Sequence, residues 1–143
     1  MSKAAPAPRH LWVIGIVTLL WNLMGAYDYL MTETQNATYM AQFDQAQLDY
    51  FYGFPVWFIA LWAIAVWGGL AGSVLLLLRK GLAAPAFLAS FVAMIFPTIY
   101  SFGFSNGMEV MGATGFVFTI LIFLVSLGLV LYSRAMRTRG VLV

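Results

Sequence analysis

Val74-Leu75-Leu76-Leu77-Leu78-Arg79-Lys80-Gly81-Leu82-Ala83-Ala84 sets two adjacent cations and a glycine between two apolar runs. The run before it begins near Phe54, and the run after it continues to Phe104. At about 1.5 Å per residue, each is long enough to cross a hydrocarbon core about 30 Å thick. Lipid offers no partner to unpaired backbone groups, so two such runs joined by a basic turn predict a transmembrane helical hairpin.

Working outward, residues 11–31 and 110–132 supply two further spans, which makes four with 54–78 and 82–104. The second is long, and predicts either a tilt or an end that projects above the hydrocarbon. All seven basic residues flank these spans in three clusters: Lys3 and Arg9; Arg79 and Lys80; Arg134, Arg137 and Arg139. The five acids, Asp28, Glu33, Asp44, Asp49 and Glu109, lie in the segments between. Basic loops are retained in the cytoplasm, so both termini and the turn at 79–81 are expected inside, with 32–53 and 105–107 outside. The expectation is an all-α membrane protein, four helices running up-down-up-down with both N and C termini in the cytoplasm. A single domain over 11–133 lies between a tail at 1–10 and a basic tail at 134–143.

Composition agrees. The 143 residues are 63% hydrophobic and 8% charged, against about 25% charged residues in a soluble domain. The net charge of +2 arises beside the spans, where anionic lipid headgroups, and not nucleic acid, are the counter-ions. With no Cys and one His, His10, the chain is short of the ligands of zinc and iron–sulfur sites, so no metal or cofactor is expected. Nor is a catalytic constellation visible at depth. Lys3, Arg9 and the run after them also fit a signal peptide, but the apolar stretch outlasts a usual h-region and Gly25-Ala26 is a poor cleavage site. A retained first helix is the reading adopted.

Asp44 followed by Gln47 predicts a capped short helix on the outer leaflet, with Leu48, Phe51 and Tyr52 on its apolar side and an end at Gly53 and Pro55. Asn22, near the middle of the first span, needs a polar partner in lipid, and Thr18, Thr98 or Ser90 are the expected ones. Asp28 lies six residues further out, about 9 Å along the axis. A carboxylate there is either a hydrated or Tyr-bonded interfacial group, or part of a proton or cation pathway. Asn22, Tyr27, Asp28 and Glu109 are the candidate substrate or ion pathway. Gly68, Gly72 and Gly112 are candidate packing residues, joined by Gly115, Ser126 and Gly128. Pro97 should kink the third span. Trp57, Trp62 and Trp67 scatter around their helix and suit lipid and packing contacts.

Leu20-Trp21-Asn22-Leu23-Met24-Gly25-Ala26-Tyr27-Asp28-Tyr29-Leu30-Met31-Thr32 resembles a family of small four-helix bacterial inner-membrane proteins. So do Phe51-Tyr52-Gly53-Phe54-Pro55 and Ser105-Asn106-Gly107-Met108-Glu109. The family is largely uncharacterised and sometimes labelled sugar transporter; the resemblance implies no residue roles. The leading functional expectation is a non-enzymatic accessory, scaffold or assembly component that contacts lipid and a protein partner or a second copy of itself. The alternative is a small transporter of a sugar or cation, working as a homodimer.

Overall fold

A computed structural model describes residues 5–143, so Lys3 lies outside the described residues. It is all-α among those residues, and four of its helices are long and apolar enough to cross a membrane. These are α1 (Arg9–Glu33), α4 (Val56–Leu77), α5 (Ala83–Ile99) with a π-helical extension (Tyr100–Phe104), and α6 (Gly107–Thr138). Two short helices, α2 (Ala37–Met40) and α3 (Gln45–Tyr52), fill the long loop. The protein is thus a multi-pass membrane protein.

The spans pack in chain order, α1 on α4, α4 on α5 and α5 on α6. Glycine spacing dictates how closely. A methyl group at Gly72 would come within 2.7 Å of the Phe87 ring, and one at Gly68 would meet the Ala86 carbonyl and Ser90 at 3.5 Å. Gly68 and Gly72 therefore seat α5 against α4, as expected of a small-xxx-small pair. Gly69 turns toward α1 instead, where a methyl would lie 2.7 Å from Asn22 Oδ1. One glycine-rich turn thus serves two neighbours.

Three expectations need correction. Gly112 has no packing neighbour within the chain: nothing lies within 4 Å of a methyl built there. Its φ of 71° and ψ of −172° break α6 after its first turn, a conformation that only glycine adopts cheaply. Gly128 likewise has no neighbour within 4 Å. The segment expected as a basic tail, 134–143, continues α6 and then packs on the bundle. Helix α6 carries Arg134 and Arg137 and ends at Thr138, after which Val141 and Leu142 are buried against Leu11, Leu76, Ala83 and Met136. Arg79 anchors this fold-back: Nε donates to the Val141 carbonyl at 3.2 Å, Nη2 to the Ala5 carbonyl, and the Arg79 carbonyl accepts from Val143 N–H at 3.0 Å. Ala5 N–H donates to Gly140 at 2.9 Å, so the start of the described chain is tied down as well. Arg79 adopts φ 59° to make the turn.

Pro97 is buried inside α5. It withholds an N–H from the helical ladder, and the helix widens into π geometry three residues later, at Tyr100. At the start of α4, Pro55 is the N-cap, so the second span is shorter than its apolar run, with Phe54 and Pro55 outside the helix. In the loop, the Asp44–Gln47 capping box forms in full. Helix α2 was not anticipated: Asn36 caps it by accepting from Tyr39 N–H at 3.0 Å.

Candidate functional site

The spans do not close into a filled ring. Helices α1 and α6, the two ends of the packing order, meet through His10 and Tyr132 (2.5 Å between Nδ1 and the hydroxyl) at the basic end. Midway they meet again through Trp21 and Phe118, whose rings are 5.7 Å apart. Between the four spans lies a cavity of about 370 Å³, open on part of its boundary. That is within the usual range of ligand sites, about 300–1,000 Å³.

Its wall is mostly apolar, with Trp21, Trp62, Phe87 and Phe118 contributing rings and Asn22, Asp28, Tyr39, Ser90 and Ser126 contributing polar groups. The inner polar groups are mutually committed. Asn22 Nδ2 donates to Ser73 Oγ at 2.8 Å, and Ser90 Oγ donates to the Ala65 carbonyl at 2.5 Å. Ser73 is fully buried, so the amide–hydroxyl bond spares both helices an unsatisfied group in lipid. Asn22 thus has its interhelical partner, but on α4 and not among Thr18, Thr98 or Ser90.

Toward the acidic end, the Tyr39 hydroxyl donates to Asp28 Oδ1. This contact depends on the loop. Gln35 turns the chain with φ 52°, Asn36 starts α2, and α2 lies back over α1 with Tyr39 against Tyr27 (ring centroids 5.5 Å apart). Burial, and then the carboxylate beside it, push the Tyr39 hydroxyl above the ordinary phenol value. It therefore stays a donor across all physiological pH.

Of the four candidate pathway residues, Asn22 and Asp28 share the cavity, whereas Tyr27 and Glu109 do not line it. Tyr27 is one residue from Asp28, about 100° around the helix, and is exposed. Glu109 is exposed in the first turn of α6, where a carboxylate complements the helix dipole. Tyr39, Trp62 and Phe118 were not foreseen at the site, nor was Ser73 as the partner of Asn22; Ser90, expected as that partner, lines the cavity instead. Trp62 serves the cavity as well as packing on Tyr29 at 4.8 Å. Among the described residues no cluster of His, Cys, Asp and Glu could hold a metal ion. No protein-family model, curated protein or solved structure matches the chain.

Proposed function

We propose that this protein is a small membrane transporter whose solute site is the cavity between its four spans. The observation that carries the reading is the cavity itself: a ring-lined space with a carboxylate, Asp28, in its wall. The helices of a scaffold would gain contacts by closing over such a hollow. The reading is non-enzymatic and needs no cofactor. It adopts the transporter alternative, and carries with it the bacterial inner membrane, cytoplasmic termini and membership of the small four-helix family.

The accessory reading keeps one supporting observation. Gly128 is exposed on α6 with open space around it, and small residues on a lipid-facing surface suit close approach by another helix. That helix could belong to a partner protein or to a second copy.

The test is reconstitution in liposomes with Ser126→Phe, which places a ring in the cavity. Uptake of labelled sugars and labelled organic cations above that of empty liposomes, abolished by Ser126→Phe, is the expected result. Uptake indifferent to that substitution, or none for any solute, removes the transporter reading.

A further inference from the structure

We infer that the ligand of the cavity is an organic monocation with an apolar body, admitted sideways from the bilayer between α1 and α6 and held with its charge against Asp28. The inference rests on the reading of the cavity as a solute site and specifies its chemistry.

Charge comes first. Asp28 lines the cavity, and among the described residues no basic side chain shares that lining. The nearest cation on its own helix is Arg9, nineteen residues earlier, about 28 Å away along the axis. The other described cations, Arg79, Lys80, Arg134, Arg137 and Arg139, gather at that same far end. Tyr39 supplies one hydrogen bond to the carboxylate but no compensating charge. A carboxylate in a mostly apolar wall is costly without one, and a bound cation would provide it.

The remaining wall selects the body of the ligand. Trp21, Trp62, Phe87 and Phe118 present rings, which attract cations over their faces and pack against apolar groups. A polyhydroxylated solute is poorly matched. The Ser90 hydroxyl proton and one Asn22 N–H are already spent on Ala65 and Ser73, so few polar groups remain for its many hydroxyls, and those left unpaired carry a cost.

The route follows from exposure. Two lining residues are openly exposed on the spans, Met24 at 66% and Phe118 at 52%. They lie on α1 and α6, the two helices that do not pack closely on each other. The lining thus reaches the outer surface of the spans along this seam, which Trp21 and Phe118 bridge at its middle, and a guest entering from the acyl chains would part that pair. The opposite course, through the basic end, is covered by Val141 and Leu142, which belong to the same buried cluster as the lining residues Phe87 and Leu129.

The experiment compares benzyltrimethylammonium with neopentylbenzene, its neutral carbon isostere, on the full chain in nanodiscs of uncharged lipid. Binding is measured by calorimetry after subtraction of partitioning into empty discs. The cation is expected to bind at least about tenfold more tightly than the isostere, from Coulomb attraction to Asp28 and contact with the ring faces. Asp28→Asn should abolish that preference and leave isostere binding unchanged, Asp28→Glu should restore it, and Tyr39→Phe should keep or raise it by freeing the carboxylate. Met24→Trp, which narrows the seam, should slow association severalfold. Equal binding of the two probes, or a preference that survives Asp28→Asn, overturns the cationic ligand but leaves a solute cavity standing. Binding of neither, with uptake absent for every solute, overturns both. Unchanged association in Met24→Trp overturns the sideways route alone.

Discussion

The Asn22 amide on α1 donates to Ser73 Oγ on α4 at 2.8 Å, beside the one glycine, Gly69, whose missing methyl leaves room for it. This bond registers the two helices near the middle of the first span and fixes the inner half of the cavity wall. In a double-mutant cycle of Asn22→Ala and Ser73→Ala, read by reversible unfolding in mixed micelles, the coupling should be about 0.6 kcal/mol and not above about 1.7. A coupling of zero would remove the bond from the account.

The glycines divide into three kinds, and alanine should tell them apart. At Gly72 the added methyl meets the Phe87 ring at 2.7 Å, and overpacking of that sort costs about 1–3 kcal/mol. At Gly112 the space is open but φ is +71°, so the cost is backbone strain, again about 1–3 kcal/mol. Gly128 is helical and has open space, and Gly128→Ala should stabilise by up to about 1 kcal/mol. Midpoints of thermal unfolding for the three variants check the order; a destabilising Gly128→Ala would contradict it.

Arg79 combines a left-handed turn with the anchorage of the folded-back tail. Arg79→Gly keeps the turn conformation accessible and deletes the guanidinium, so it isolates the second role. Amide exchange at Val141 and Leu142 should accelerate by one or more orders of magnitude while the helical content stays constant. Protection equal to wild type would mean that burial of those two side chains holds the tail unaided.

Titration of Tyr39 should be displaced. Its hydroxyl is raised from 10 by burial and by Asp28, so above pH 10 the unfolded chain releases the proton before the folded one does. Stability should then fall as pH rises from that ordinary value toward the higher folded one, and Tyr39→Phe should flatten the decline. Ultraviolet difference titration follows the phenolate directly; a Tyr39 step at the ordinary phenol value would refute the contact with Asp28.

The spans were readable because hydrophobic length and the placement of Arg and Lys are one-dimensional signals. The same is true of the Asp44–Gln47 box, whose partners lie three residues apart. Asn22 announced a need for a partner, but Ser73 is fifty-one positions away, and choosing it over Ser90 requires knowing which face of α4 meets α1. Helix α2 left a local signal, Asn36 three residues before Tyr39, that also reads as a sequon. Gly112 and Gly68 look alike in a string of letters. One breaks a helix and the other joins two, a distinction set by neighbours. The cavity is the least legible feature, since it consists of what side chains from four helices fail to fill.

Tyr39 rides on a short arm of polypeptide at the water boundary, yet its hydroxyl reaches down to a carboxylate inside the bundle. A guest that displaced Tyr39 from Asp28 would free that arm, and the arm's release would be visible from the aqueous phase. Occupancy deep among the helices would thereby be reported at the surface, where a protease or an antibody against residues 35–43 could sense it without touching the bilayer.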